Sequence, residues 1–388
     1  MLGPISAAPA PDGVRFHSLL AGNRYGRRPA LIADLPASAY RSRPPGEMLE
    51  DARILAREAG DPFIDAAVQS IEGRSRLVIH HDRPRSAATA LRAAISGEDV
   101  PGAISNLRRD APTAVERALV ERARARGIPA VFRAFPGDRV RLGEGARLRR
   151  TGGAIDDRAG ALGTMVDDHP PAALALLADA GLPVDAAGEP QRRLLVVGGL
   201  CVARLPEGAG DDGAALAIRA AALFALPIAR IDLAASGAIV GIRVVDALDP
   251  FVAAPDRGGS ALDAVIDQLV GPSGGVRIPL VVFAGGDAGA AATALADAWA
   301  ARGLTVGRAL PTGLTVGRLR LHRDDRRGRR GLPLLLDHPL VDAAVAVLDP
   351  ADLLMSGLGH DRIDRMVCDL LPRDPVRRLL TTLADSPQ

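Results

Sequence analysis

The chain of 388 residues contains no lysine, and arginine supplies all 48 of its Lys+Arg positions. A lysine is therefore excluded as a Schiff base, as a general base and as the residue that reaches the phosphates in a Walker-type P-loop. Arginine cannot replace a lysine base, because its guanidinium does not lose its proton in proteins. The composition is typical of GC-rich coding, in which Arg, Ala, Gly and Pro accumulate together, but the chemical exclusions hold whatever its origin.

Aromatic residues, cysteines and long apolar runs are also scarce. Aromatics make up 3% of the chain, so we expect cores built from Ala, Leu, Val and Ile. The two cysteines are far apart and outside any CxxC pattern, which predicts neither a disulfide framework nor a zinc site. Residues 1–13 lack the pattern of a signal peptide, and no run of about 18 residues is both apolar and uncharged. We therefore expect a cytoplasmic protein with no membrane span.

The remaining sequence alternates between helical and strand patterns, which predicts an α/β protein. Helices are predicted at residues 47–59, 61–71, 86–95, 114–126, 170–180, 214–225 and 260–270, and in a segment that ends near residue 302. Strands are predicted at residues 30–35, 76–80, 128–132, 193–197, 200–204, 228–234, 238–245, 278–283, 316–321 and 341–348.

Two of these patterns carry more specific predictions. Gly198 and Gly199 lie between two short apolar strands, and a Gly-Gly pair in that position is a hairpin signal. The apolar strand at residues 278–283 is followed by a Gly/Ala loop and then a helix, an order typical of the first turn of a nucleotide-binding α/β fold.

In their order along the chain, these motifs resemble the cyanophycin synthetase family. The resemblance covers most of the chain. The matching segments are residues 19–35 (LLAGNRYGRRPALIADL), 126–158 (RGIPAVFRAFPGDRVRLGEGARLRRTGGAIDDR), 176–184 (LLADAGLPV), 193–203 (RLLVVGGLCVA), 277–285 (RIPLVVFAG) and 337–364, which ends in GLGHDRID.

The resemblance implies a fold and an activity. Enzymes of that family join an N-terminal domain to an ATP-grasp ligase domain and a Mur-ligase-like domain. They build a polyaspartate backbone with arginine on its side chains, and both ligase domains use ATP. The resemblance therefore implies an N-terminal α/β domain at residues 1–165, a truncated ATP-grasp-like domain at 166–272 and a partial Mur-ligase-like domain at 273–388.

The ATP-grasp-like segment departs from the family where its chemistry lies. Nine residues separate Val184 from Leu194, too few for the lid that holds nucleotide in the family. The family's metal cradle, an Asp followed by Glu-x-Asn, aligns with Asp232 and then with Val244 and Asp246. Losing the central carboxylate removes an oxygen ligand that Mg²⁺ needs. We expect Asp232 and Asp246 to be capping or solvated residues at strand ends, and catalytic only if activity survives.

The P-loop-like segment is altered in the same way. The family has Gly-x-x-Gly-Lys-Thr, whereas this chain has Gly285, Gly286 and Gly289 around Asp287 and no lysine or hydroxyl ligand. Backbone amides at the start of a helix still favour an anion, but Asp287 places negative charge where phosphate would sit. The family's Glu-x-x-Arg-Gly-Gly stretch aligns with residues 347–352, VLDPAD, without its acid or glycines.

Two arginine clusters are candidate sites for polyanions. A solvated charged surface is the more common meaning of such a run, and the net charge of +2 gives no general reason to expect nucleic acid. The clusters are Arg147, Arg149 and Arg150, and Arg326, Arg327, Arg329 and Arg330.

The resemblance and its departures together predict a catalytically degenerate homologue that binds or assembles. Its expected partners are an active ligase of the family or the aspartate/arginine polymer, in a homo- or hetero-oligomer without nucleic acid or membrane. No metal and no cofactor is expected. One alternative is an active, minimised ATP- and Mg²⁺-dependent amide ligase, in which an arginine converges with Asp232 and Asp246 on one cavity. A weaker alternative is a small-molecule sensor that binds an anion at the glycine loop.

Overall fold

We describe the protein from a computed structural model, for residues 13–40, 43–71, 74–97, 99–135, 138–152, 155–156, 161–206, 212–253, 258–272, 275–369 and 374–384. These residues form a mixed α/β structure with 13 α-helices and four sheets. The chain divides into two compact units. Unit 1 comprises residues 1–111 together with 278–388, and unit 2 comprises residues 112–277.

The first part of unit 1 is an antiparallel sheet with helices on one face. The strand order is β1-β2-β4-β3. Alternate strand residues, including Leu31 and Leu77, pack with the helices in one apolar core. Its elements are β1 (Arg15–Leu19), β2 (Ala30–Leu35), α1 (Pro45–Glu58), β3 (Asp65–Ile71), β4 (Arg74–His80), α2 (Pro84–Ser96) and α3 (Val100–Asp110).

The helix predicted at residues 61–71 is wrong, because this segment contains strand β3. Ile64, Val68 and Ile71 recur at helical spacing, which explains the prediction. β-branched side chains are restricted in helices and fit a pleated surface, and β3 pairs with β4 along its whole length. All three side chains are exposed, by 40, 44 and 37% respectively.

Unit 2 contains two four-stranded sheets, β5-β6-β7-β8 and β10-β9-β11-β12. The second sheet is buried on both faces, since one apolar cluster joins it to α4, α8 and α9 and another joins it to α6 and α7. Its elements are α4 (Ala114–Ala125), β5 (Ala130–Phe135), β6 (Asp138–Leu142), β7 (Arg149–Gly152), β8 (Ile155–Asp156), α5 (Ala161–Asp168), α6 (Pro170–Asp179), β9 (Arg192–Val197), β10 (Leu200–Leu205), α7 (Ala214–Leu223), β11 (Ile228–Leu233), β12 (Ile239–Arg243), α8 (Asp249–Val252) and α9 (Gly258–Val270).

Local sequence signals account for several of these boundaries. Thr113 and Glu116 form a reciprocal capping box at the start of α4. The predicted Gly-Gly hairpin is confirmed, since β9 and β10 pair across Gly198 and Gly199, which have φ of 57° and 79°. Between Val184 and β9 the chain makes a turn and an extended loop, with no helix or strand in residues 185–191.

The second part of unit 1 is a six-stranded sheet of order β16-β15-β14-β17-β13-β18. Strands β14, β17, β13 and β18 are parallel to one another. Strands β15 and β16 extend the sheet beyond β14 in antiparallel pairs. The strand predicted at residues 316–321 is instead the end of one strand and the start of the next. The elements are β13 (Leu280–Ala284), α10 (Ala288–Ala301), β14 (Val306–Leu310), β15 (Gly313–Val316), β16 (Leu319–His322), α11 (Leu332–Leu336), β17 (Ala343–Val347), α12 (Pro350–Ser356), β18 (Arg365–Cys368) and α13 (Pro375–Ala384).

Backbone hydrogen bonds join the two parts of unit 1. The Leu358 amide donates to the carbonyl of Gly22 at 2.9 Å, and the Gly359 amide donates to the carbonyl of Ala21 at 3.0 Å. The predicted boundary at 272/273 lies close to the division after Arg277. The described residues of 112–165 belong to unit 2. Within the described part of the chain, no helix is long and apolar enough to cross a membrane.

Candidate functional site

Asp232, the first candidate ligand of the metal cradle, lies inside β11 and is only 7% exposed. The register pairs it with Arg193 of β9 on one side and with Gly241 of β12 on the other. Directly opposite residues of paired strands share a face of the sheet. Asp232, one residue from the end of β11, is therefore buried and not solvated, because β11 lies between its neighbours and two helical layers.

Arg230 brings the two candidate carboxylates together. It lies two residues before Asp232, so both side chains point to the same face of β11. Its Nε donates to Asp232 Oδ1 at 3.1 Å, and its Nη1 donates to the backbone carbonyl of Asp246 at 3.0 Å. Nη1 also lies 3.8 Å from Asp246 Oδ1, and the Asp246 side chain is half exposed. One guanidinium therefore joins Asp232 to Asp246.

Burial dominates the electrostatics of this cluster. It raises the pKa of the Asp232 carboxyl above its ordinary value, and the charges of Arg230, Arg193 and Arg243 oppose this shift only in part. The pKa of Asp249, in the first turn of α8, is also raised, by burial and then by the neighbouring carboxylate of Asp246. The positive charge of Arg230 opposes the rise in pKa at both Asp232 and Asp249.

The position that aligns with the family's central acid is part of an apolar core. Val244 is 2% exposed and packs in the cluster between the sheet and α6 and α7. Its amide and that of Val245 both donate to Asp167 Oδ2, at 3.0 and 2.6 Å. A side chain of α5 thus holds the backbone here, and no pattern in the sequence indicated this role for Asp167.

These residues do not fit a Mg²⁺ cradle. Mg²⁺ takes oxygen ligands in near-octahedral geometry, whereas the side chain that joins Asp232 to Asp246 is a cation and Val244 supplies no oxygen. Among the residues that the structure describes, no group of three or more His, Cys, Asp or Glu side chains is arranged to hold a metal ion.

The glycine loop lies at the carboxyl end of β13, the edge of a parallel sheet where ligands bind in open α/β folds. Gly285 has a φ of 128°, and Asp287 is the N-cap residue of α10. Gly289 is inside the helix. The hydroxyl of Thr293 donates to the carbonyl of Gly289 at 2.8 Å, so it is engaged with its own helix.

Asp369, which follows β18, places its carboxylate on this loop. The Gly286 amide donates to Asp369 Oδ2 at 3.1 Å, and the Asp369 amide donates to the carbonyl of Ala284 at 3.4 Å. A Cβ at Gly285 would lie 1.5 Å from Asp369 Oδ1. A side chain at position 285 would displace the exposed Asp369 carboxylate, and the φ of Gly285 also favours glycine there. The loop amide binds a carboxylate of the chain itself.

Asp349, in the segment VLDPAD at residues 347–352, caps a helix. Asp349 Oδ1 accepts from the amides of Ala351 and Asp352, at 3.0 and 3.1 Å, at the start of α12. Arg327 lies 3.5 Å from the Asp349 carboxylate. These contacts stabilise the helix start.

Both arginine clusters have partners within the chain. Arg147 Nη1 donates to the carbonyls of Gly275 and Arg277, each at 2.8 Å. Arg326 and Arg327 form ion pairs with Asp324 and Asp325. The side chain of Arg329 lies outside the described residues. Local carboxylates thus balance part of the positive charge in the second cluster.

Two cavities in unit 2 lie away from the candidate carboxylates. One, of about 740 Å³, is lined by residues that include Arg192, Asp212 and Ser236. The other, of about 340 Å³, is lined by residues that include Arg147 and Asp267. Neither lining includes Arg230, Asp232 or Asp246.

Comparison of the chain with protein-family models finds no matching family, and comparison with curated proteins finds no matching sequence. The resemblance to the cyanophycin synthetase family therefore rests on the ordered motifs of the sequence alone. The contact between Arg230 and Asp232 could be predicted from the sequence, because residues i and i+2 of a strand share a face. Asp369 has none, since 83 residues separate it from Gly286.

Proposed function

We propose that the protein is a catalytically degenerate relative of cyanophycin synthetase that acts in the cytoplasm as a binding or assembly partner. The observation that carries this proposal is the occupancy of both candidate nucleotide sites by groups of the chain itself. A guanidinium joins the candidate metal ligands, and a carboxylate sits on the candidate phosphate loop.

The first site argues against ATP-grasp chemistry on electrostatic grounds. Mg²⁺ must replace the positive charge next to Asp232 if it is to use that carboxylate. Arg230 is a permanent cation with 9% exposure, and displacing it would leave a buried guanidinium without its partner. A buried ion pair broken in this way costs about 3–5 kcal/mol. The free energy of Mg²⁺ binding would have to exceed that cost, and the site has Val244 where the family's central carboxylate aligns.

The second site argues in the same direction. Phosphate on a glycine loop is held by backbone amides at a helix N-terminus. Here the Gly286 amide already donates to Asp369, and Asp287 adds a second negative charge at the start of α10. Two carboxylates beside a triphosphate repel it, and no lysine in the chain opposes them.

Calorimetric titration with Mg-ATP at millimolar concentration tests the loss of ligase chemistry. We expect no Mg²⁺-dependent binding, and no ADP when aspartate, arginine and an aspartate/arginine primer are added. An active cyanophycin synthetase serves as the positive control in the same buffer. Mg²⁺-dependent binding accompanied by ADP formation would show that the protein is a working ligase.

The second candidate function is an active minimised amide ligase with ATP and Mg²⁺ as cofactors. It requires an arginine to converge with Asp232 and Asp246 on one cavity; Arg230 contacts both residues, but neither described cavity is lined by them. Arginine can bind phosphate through two parallel hydrogen bonds. Arg230→Gln separates the two functions, with Arg320→Gln on exposed β16 as the matched control. In a ligase, ADP formation is present in the wild type and the control and absent in Arg230→Gln. In a degenerate protein it is absent in all three.

Two binding assays test the partner role. Co-sedimentation with the aspartate/arginine polymer, with polyaspartate as control, tests recognition of polymer that carries arginine. Gel filtration of a mixture with an active cyanophycin synthetase tests assembly with the ligase. We expect one of the two to be positive. If the protein binds neither polymer nor ligase, the proposed role is wrong even when ATP binding is absent.

A further inference from the structure

The smaller cavity of unit 2, of about 340 Å³, lies between the end of α9 and the start of β7. Arg147 fixes one wall of it, because its Nη1 donates to the carbonyls of Gly275 and Arg277, each at 2.8 Å. Binding sites for small molecules have volumes of about 300–1,000 Å³. The cavity is at the lower end of this range and therefore suits a small ligand.

Two residues of the lining carry donors that are available to a ligand. The Arg149 guanidinium donates through Nη1 to the carbonyl of Leu148 at 2.8 Å, and no carboxylate of the described residues pairs with it. The side-chain amide of Gln268 has no hydrogen bond within the described part of the chain. A guanidinium without an acid of its own chain can bind the carboxylate of a ligand through two parallel hydrogen bonds.

The end of α9 borders the same cavity with acceptors. The carbonyl of Gln268 cannot accept the usual helical bond from residue 272, because Pro272 has no amide hydrogen. The Asp267 carboxylate pairs with Arg126 through Oδ1, and its side chain is still 40% exposed. The carboxyl end of a helix favours a cation. An ammonium group suits these oxygens, because it has three N–H donors.

The remaining side chains of the lining are aliphatic. Ala146, Val270 and Val276 are among them, and Val276 is only 2% exposed. A ligand that is only an anion would meet the Asp267 carboxylate, and one that is only a cation would meet the Arg149 guanidinium. The lining therefore fits a ligand that carries both charges and an apolar group.

We propose that this cavity binds a free α-amino acid with a small aliphatic side chain. The carboxylate of the ligand pairs with Arg149 and the Gln268 amide, and its ammonium group donates to Asp267 and to the end of α9. Its side chain packs against Val276 and its aliphatic neighbours. The cavity is separate from both candidate nucleotide sites, so the proposal holds whether or not ligase activity is lost.

Isothermal titration of the full chain with L-valine, without nucleotide or Mg²⁺, tests the proposal. We expect saturable one-to-one binding with a dissociation constant at or below about 1 mM. Three analogues each change one feature of L-valine. Isobutylamine lacks the carboxylate and isovalerate lacks the ammonium group, and both should bind at least about tenfold more weakly. L-threonine replaces one methyl group with a hydroxyl and should bind at least about fivefold more weakly.

Two pairs of variants connect the binding to the cavity. Arg149→Gln should weaken L-valine binding at least about tenfold, whereas its control Arg192→Gln, in the lining of the larger cavity, should bind like the wild type. Asp267→Asn should have an effect of similar size. Its control is Asp263→Asn, because Asp263 pairs with the same Arg126 but does not line the cavity.

Circular dichroism checks that all four variants are folded, and the analogues test the wild type independently of any variant. The proposal is overturned by the absence of saturable L-valine binding. It is also overturned if isobutylamine or isovalerate binds as tightly as L-valine, or if Arg149→Gln and Arg192→Gln bind L-valine equally well.

Discussion

Arg230 holds its acidic neighbours through one guanidinium, with Nε on Asp232 and Nη1 near Asp246. Codon bias toward arginine explains why a basic residue in this chain is Arg. It does not explain why a basic residue lies between these two carboxylates. A guanidinium in this position compensates the buried acids and does not offer the oxygen ligands that a divalent cation needs.

Removing this guanidinium should destabilise the fold. Arg230→Gln leaves Asp232 buried without its main counter-charge, and breaking one side of a buried pair costs about 3–5 kcal/mol. We expect a loss of that order in the free energy of unfolding, measured by urea denaturation at neutral pH. Arg320→Gln, at an exposed position on β16, should change it by less than about 0.5 kcal/mol. Equal effects of the two variants would contradict a structural role for the Arg230 pair.

The raised pKa of Asp232 predicts a pH dependence with a definite sign. Its folded-state pKa lies above the unfolded value of about 3.9, so the folded state holds the proton more tightly. The stabilisation from this group is complete below the unfolded pKa and is lost as pH rises through the folded pKa. Asp232→Asn cannot titrate. The stability of the wild type relative to Asp232→Asn should therefore fall as pH rises from about 4.

Urea denaturation of both proteins at a series of pH values measures this difference. Carboxyl ¹³C resonances of Asp232 follow the same titration directly, and they should move to higher pH in Arg230→Gln, which lacks an opposing positive charge. A difference in stability that stays constant across the acid range would rule out the raised pKa.

At the scale of elements, the glycine loop is held by a contact within the chain. The order strand, Gly loop and helix is present at β13 and α10, and the Gly286 amide donates to the Asp369 carboxylate. The φ of 128° favours glycine at position 285, and a Cβ there would displace the Asp369 carboxylate.

Two glycines of this loop should respond in opposite directions to alanine. Gly285→Ala requires a φ near 128° and a Cβ 1.5 Å from Asp369 Oδ1, so we expect a loss of about 1–3 kcal/mol in stability. Gly289→Ala lies in α10 with nothing within 4 Å of the new Cβ, and should gain up to about 1 kcal/mol. Chemical denaturation measures both. Adding Asp369→Ala should cost less in the Gly285→Ala background, where the carboxylate is already displaced.

Local rules account for much of what could be predicted from the sequence. The Gly-Gly turn specifies its hairpin, and the strands at residues 30–35 and 76–80 have strongly apolar patterns, so all three predictions are confirmed. The helix prediction for residues 61–71 failed because Ile64, Val68 and Ile71 recur with a helical period. In the structure they are exposed positions in and next to an edge strand. The contact of Asp369 with Gly286 could not be predicted, because it depends on how β18 pairs with β13.

At the scale of the whole molecule, unit 1 is assembled from two separate stretches of the chain, and the loop between β1 and β2 carries hydrogen bonds that join them. Residues 20–28 join β1 to β2 and pair with residues 356–360 after α12. Gly22 has a φ of 64°, and a Cβ there would lie 2.1 Å from the carbonyl oxygen of His360. The segments LLAGNRYGRR and GLGHDRID, the first and last motifs of the resemblance, therefore meet in the folded protein.

Asn23 holds this loop in shape, and its loss should loosen the connection. The side chain is 2% exposed. Its Nδ2 donates to the carbonyls of Leu20 and Arg28 at 2.7 and 2.9 Å, and its Oδ1 accepts from the Tyr25 amide at 2.9 Å. Asn23→Ala leaves these backbone groups without their partner, and we expect a loss on the order of 3 kcal/mol. Asn106→Ala on exposed α3 is the matched control.

Native-state hydrogen exchange localises the effect. The amides of Leu358 and Gly359 donate to carbonyls of the Asn23 loop, so they should exchange faster in Asn23→Ala than in the wild type or in Asn106→Ala. Amides in β9 and β11 belong to unit 2, whose apolar clusters contain no residue of unit 1, and should keep their protection. Faster exchange spread equally over both units would mean that Asn23 supports global stability and not the connection between the two ends of the chain.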